Sequence, residues 1–187
     1  MSVLMGFRNT NPPSASRAVY GIRNGLVIFP FDIVFTGFNP DAMPSGQPFI
    51  GEQVDGLGFN IGTISSYDWP LVGSVTPIVE VTPDQAFNMG GLMALPASPA
   101  PVPDGTRVLV ENMSGSLIIG ITHPLTTLSY IDQNHTIDAY TVEFNPPLHS
   151  DDHGLPVVLA ADTSMIVGMV IATKPIVGMP NSFVVPV

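Results

Sequence analysis

The sequence predicts an all-β protein, a barrel or a sandwich. Apolar runs of strand length recur about every ten residues, with turn residues between them. Twenty prolines and eighteen glycines are spread among those runs and end them early. No stretch holds a helical period for three turns. Disorder is excluded by an apolar fraction of 45% that is rich in β-branched residues.

The elements follow in order. Residues 1–16 are polar, include Asn11-Pro12-Pro13, and read as an extended arm. Val19 to Ile22 is a short strand. Gly25 to Thr36 is a longer one, and Pro30 marks it as an edge strand or a bulge. Asn39 to Gly51 is loop. Leu57 to Ser66 and Thr76 to Val81 are strands, and Asp84 to Met89 reads as one helical turn with Asp84 near its start. Residues 96–103 are the linker, within a proline-rich stretch that runs from Pro83 to Asp104. Seven runs follow: Thr106 to Glu111, Gly115 to His123, Thr126 to Ile131, Thr136 to Phe144, Val157 to Ala161, Met165 to Ala172 and Ser182 to Val187. The expected organisation is an arm over 1–16, a first β unit over 17–95, the linker over 96–103 and a second β unit over 104–187.

Charge narrows the function classes. Five basic residues stand against fifteen acidic ones, for a net charge of -10. That inventory builds no basic patch, so neither nucleic acid nor an anionic membrane is an expected partner. The absence of cysteine removes disulfides, zinc-thiolate sites and thiol nucleophiles. Met1 to Thr10 lacks an apolar block of signal-peptide length, and the apolar runs are too short to span a membrane. A cytoplasmic location is expected, or a virion for a phage protein, without Sec-type secretion.

The densest polar stretch is His149-Ser150-Asp151-Asp152-His153-Gly154-Leu155-Pro156-Val157-Val158, followed by the apolar run Met165 to Ala172. It resembles the nucleophile loop and the next strands of trypsin-like serine peptidases, which read Gly-Asp-Ser-Gly-x-Pro-Val. Asp152, Gly154, Pro156 and Val157 fit that pattern. Other segments agree in order and spacing. Asp104 to Val108 with Ser114 to Leu117 and Gly120 to Thr122 resembles the start of the family's second barrel. Ile78 to Val81 with Asp84-Gln85-Ala86 resembles its Asp-Ala-Ala-Ile-Ala-x-Val strand, and Asn181 to Val187 its closing strand. The resemblance runs from about Thr76 to the end of the chain. It implies two packed antiparallel β-barrels of trypsin-like type.

The same resemblance implies a degenerate site. The serine slot holds His153, flanked by Asp152 and Gly154. The aspartate slot holds Thr76 or Pro77. The region matching the family histidine, Val34 to Ala42, contains none. A triad needs a hydroxyl nucleophile, a base in reach and a carboxylate that orients the base. The expectation is therefore a non-enzyme, without peptidase or esterase activity. It would be a scaffold that binds protein, either itself or other subunits, as a homo-oligomer or multi-copy component such as a virion decoration or tail protein. The arm would lie against another chain. Two rivals stand beside it: a divergent hydrolase using the His149 to His153 loop, and a jelly-roll or other β-sandwich capsid module. A carboxylate and a hydroxyl near one histidine would favour the first; strand order decides the second.

The remaining features favour plain readings. His149, Asp151, Asp152 and His153 could bind a metal, but no spacing there matches a metal motif, and turn hydrogen bonds account for such residues. No metal and no cofactor are expected. Asn112-Met113-Ser114 and Asn134-His135-Thr136 match glycosylation sequons, which mean nothing without secretion. The nine methionines read as core filler. Trp69, in Tyr67-Asp68-Trp69-Pro70, reads as a half-buried corner residue.

Overall fold

The computed structural model describes residues 21–30, 49–56, 59–89, 94–112, 114–129, 134–149, 152, 154–173 and 180–187. The chain divides into two compact units, one comprising Met1–Ala94 with Ser129–Ile137 and the other Leu95–Leu128 with Asp138–Val187. The arm over 1–16 lies outside the described residues.

Among the described residues there are twelve strands: β1 Gly21–Arg23, β2 Leu26–Pro30, β3 Gln53–Gly56, β4 Phe59–Tyr67, β5 Gly73–Ser74, β6 Ile78–Pro83, β7 Arg107–Glu111, β8 Leu117–Ser129, β9 His135–Asn145, β10 Pro156–Leu159, β11 Ile166–Thr173 and β12 Ser182–Val185. In the first unit a five-stranded sheet has the order β1-β2-β6-β4-β3, with adjacent strands antiparallel. β5 joins the start of β9 in parallel, Gly73 beside His135. Val27, Ile28, Phe29, Val79 and Val81 are wholly buried in this unit.

The second unit is a closed barrel. Its strands run β12-β11-β10-β7-β8-β9, and β12 also pairs with β9, which closes the ring. Closure separates it from a sandwich, whose two sheets keep open edges. Alternation along β7 shows why these residues make strands. Val108 and Val110 point into the core while Arg107 and Glu111 are exposed. Phe144, Leu148, Leu155, Val157, Val170 and Val184 fill the interior. Gly120 makes room for this packing, because a Cβ there would lie 2.6 Å from the Phe144 ring.

Several sequence expectations need correction. β2 lies between β1 and β6, so Pro30 ends an interior strand rather than marking an edge. Its lack of an N–H is tolerated at a strand end. Gly115 to His123 and Thr126 to Ile131 merge into the single long β8, through Pro124, which stands exposed. Asp84 opens a turn and no helix: its Oδ1 accepts the Ala86 N–H at 2.9 Å, and its carbonyl accepts the Phe87 N–H at 3.0 Å. The side-chain bond substitutes for a helical one. β3 and β5 are additional strands that apolar patterning missed.

Candidate active site

The turn before β10 is fixed at both sides by apolar anchors. Leu148 and Leu155 are both part of the barrel core. Between them Asp152 is only 2% exposed. Its Oδ2 accepts the His149 N–H at 2.8 Å, and its own N–H donates to the His149 carbonyl at 3.0 Å. A buried carboxylate must be met by hydrogen bonds or neutralised. The two bonds with the His149 backbone meet part of that need and close the turn.

Gly154 takes a left-handed conformation, φ 82°. Side chains with a Cβ are disfavoured there. Its N–H donates to the Val170 carbonyl at 2.6 Å, and the Val170 N–H donates to the Leu155 carbonyl at 3.0 Å. The turn is thereby tied to β11. The His149 side chain is exposed. Ser150, Asp151 and His153 lie outside the described residues, so the structure places Asp152 and Gly154 of the expected nucleophile turn and leaves His153 to the sequence.

The other catalytic slots are partly described. Thr76 is exposed and Pro77 buried, and the Thr76 carbonyl accepts the Ile78 N–H at 2.8 Å. Val34 to Ala42 lies outside the described residues. His123 Nδ1 stands 3.9 Å from Asp104 Oδ1, too long for a hydrogen bond. Among the described residues, no group of three His, Cys, Asp or Glu side chains is arranged to hold a metal ion.

His135 and Trp69, far apart along the chain, form a pair that no local pattern predicts. Their rings stack at 3.9 Å with 24° between planes, and His135 Nε2 lies 2.7 Å from the Pro70 carbonyl. Trp69 is 2% exposed, so the expected half-buried corner is in fact a core position. His135 is itself 3% exposed, so both stacked rings are buried.

No protein-family model matches the chain. No curated protein matches it in sequence. Solved structures do. A Cellulomonas bogoriensis chymotrypsin is similar with a TM-score of 0.53 and 15% identity, over 90% of this chain and 82% of the other. The active form of the Rv3671c protease from M. tuberculosis is similar with a TM-score of 0.52 and 20% identity, over 89% and 66%. The chain has the chymotrypsin-like fold. The closed barrel, the second antiparallel sheet and the buried Asp152 before left-handed Gly154 all accord with that fold.

The comparison corrects the expectation of a non-enzyme. The chymotrypsin-like structures it resembles are proteases, one of them captured in its active form. At 15% and 20% identity they share the fold with this chain, and a fold shared with working proteases is no ground for calling the chain a non-enzyme. The expectation weighed substitutions at all three catalytic slots, at His153, at Thr76 or Pro77 and across Val34 to Ala42, and left out the retained backbone of the turn. Backbone N–H groups of such a turn supply oxyanion stabilisation, and the bonds of Asp152 to His149 and of Gly154 to Val170 hold the turn in place.

Proposed function

We propose that this chain is a divergent peptidase of chymotrypsin-like fold that works from the His149 to His153 turn. The observation that carries the reading is the buried Asp152 carboxylate, clamped by His149 and followed by left-handed Gly154. Keeping a carboxylate out of water costs free energy, which its bonds to the His149 backbone offset while they fix the shape of the turn. The similarity to proteases supports the same reading.

The sequence supplies a hydroxyl and two imidazoles within this turn: Ser150, His149 and His153. The proposal gives Ser150 Oγ the attack on a peptide carbonyl carbon and gives one imidazole the serine proton, which then passes to the leaving amine. Water releases the acyl group in a second step. The Asp152 and Gly154 N–H groups already donate to His149 and Val170. Those two N–H groups are therefore engaged within the turn and are not the oxyanion donors.

Hydrolysis of a mixed peptide library, followed by mass spectrometry, tests this. The unaltered chain should cleave, and Ser150→Ala or His153→Ala should each lose roughly a hundredfold or more. Labelling by a fluorophosphonate probe should fall on Ser150. Cleavage that is equal in all three proteins, or absent from the unaltered chain, defeats the proposal.

A peptidase can also work as one subunit of a larger assembly. The neighbouring apolar side chains Leu71 and Val72, 76% and 65% exposed, support that second reading. A photo-crosslinker at position 71 should capture a neighbouring protein in the source cell; crosslinks to small molecules alone would count against it.

A further inference from the structure

The outward face of β7 and β8 is apolar where a barrel exterior is ordinarily polar. Leu117 is 69% exposed and Ile119 53% exposed. Cross-strand register places Leu109 beside Ile119 and Val158 beside Leu109, so an apolar row crosses three strands. The two charges on the exposed face of β7 are Arg107 at its start and Glu111 at its end. They flank the row, beside Ile121 and Leu117 respectively.

Read along β7, this face is a cation, an apolar side chain and an anion, centred on Leu109. Such a sequence is complementary to itself under a two-fold rotation about Leu109. Residues 107 and 111 lie about 13 Å apart along an extended strand. A second copy laid face to face and antiparallel puts its anion over the first copy's cation, and the reverse. Packed sheets keep strand directions within about 30° of each other, which leaves both pairs within reach of these long side chains.

Charge selects the occupant. The chain carries -10 and has only five basic residues, so most of its surface repels another copy. The β7 strand is an exception: its exposed charges cancel, and an apolar row lies between them.

We propose that this face is an isologous self-association surface. In it Arg107 of each copy pairs with Glu111 of the other across stacked Leu109, Leu117 and Ile119. The area is small, so the dimer is a weak one, with a dissociation constant in the micromolar to millimolar range.

Sedimentation equilibrium on the full chain tests it by charge exchange. Arg107→Glu and Glu111→Arg should each weaken association by roughly tenfold or more. Mixed in equal amounts, the two variants should associate again, because each cross-contact then joins unlike charges. Ile119→Asp should abolish the dimer with an unchanged melt, since that side chain is exposed. A chain that stays monomeric at millimolar concentration overturns the proposal. So does a dimer indifferent to Ile119→Asp, or a mixture of folded variants that fails to associate. Should Glu111→Arg fail to fold, Glu111→Lys takes its place in the mixture with the same expected outcome.

Discussion

The two units settle the problem of strand edges in different ways. The barrel closes because β12 pairs with β11 on one side and β9 on the other. The five-stranded sheet ends, among the described residues, on the short strands β1 and β3. Short edge strands limit pairing with other chains. The cores differ too. Valine dominates the barrel interior, while the sheet unit buries Trp69, His135 and Tyr67, aromatic groups with polar atoms that need partners. Closure fixes the distances between strands from both sides, so the barrel should tolerate added volume less well. The sheet unit should depend more on single large side chains.

The largest expected effect tests that dependence. Trp69→Ala removes a buried indole and uncovers the stacked His135 ring. It should cost about 3–5 kcal/mol, read by urea unfolding followed by circular dichroism. A midpoint unchanged from the unaltered chain would mean that this pair does not set the stability of its unit.

A matched pair of glycines sharpens the comparison. A Cβ at Gly168 would lie 2.8 Å from the Val185 carbonyl carbon, and one at Gly62 would lie 2.8 Å from that of Thr82. The contacts are alike and the surroundings are not. Gly168 is in β11, held between β10 and β12 of the closed ring. Gly62 is in β4, paired on the clashing side with β6 and on the other with β3, an edge strand in the described sheet. Gly168→Ala should destabilise by about 3 kcal/mol and Gly62→Ala by about 1 kcal/mol. Equal losses in denaturant titrations would show that closure adds no rigidity.

The same contrast explains what was legible in the sequence. β7 was readable because it alternates inward and outward positions, with Val108 and Val110 facing in, and β11 because it is a continuous apolar run, buried from Ile166 to Ile171. Closure came with the resemblance, since period-two patterning alone fits a sandwich equally well. β3 escaped notice because Gln53-Val54-Asp55-Gly56 offers a single apolar residue. β5 is two residues long and exists through its pairing with β9. At the site, Asp152 and Gly154 were readable as the frame of a nucleophile turn. The His149 clamp was not, because it donates from the backbone, which any residue can supply. The Trp69 and His135 stack lies beyond local patterning, joining residues brought together only by the fold.

Alkaline pH should report on the sheet unit through Tyr67. Burial raises its phenol above the ordinary value; the Phe49 N–H bond opposes this, and the nearby Glu52 carboxylate adds to it. Tyr67 is 3% exposed. With the folded value raised, the unfolded chain ionises first. The contribution is whole below about pH 10, and it is lost as pH rises through the folded value. Stability should therefore fall on the alkaline side, and Tyr67→Phe should flatten that fall. An identical alkaline slope in the Tyr67→Phe protein would place its origin elsewhere.

The smallest effect belongs to the barrel, in the turn between β10 and β11. Asp162 Oδ1 accepts the Ser164 hydroxyl at 2.6 Å and the Ser164 N–H at 3.0 Å. The Met165 N–H closes the same turn onto the Asp162 carbonyl at 3.0 Å. The hydroxyl bond, then the amide bond, hold the Asp162 carboxyl below its ordinary value. A depressed folded value stabilises the fold above the unfolded value, and the contribution disappears as pH falls through the folded one. The group is fully exposed, so solvent screens the energy and the titration is the better readout. Ser164→Ala removes the larger of the two bonds and keeps the amide. The Asp162 carboxyl, followed by NMR, should move up toward the ordinary carboxylate range while remaining below it, and the melt should scarcely change. A carboxyl that does not move would show that the backbone amide alone sets its proton affinity. A large loss of stability would show that the turn, and not only its charge, depends on the serine hydroxyl.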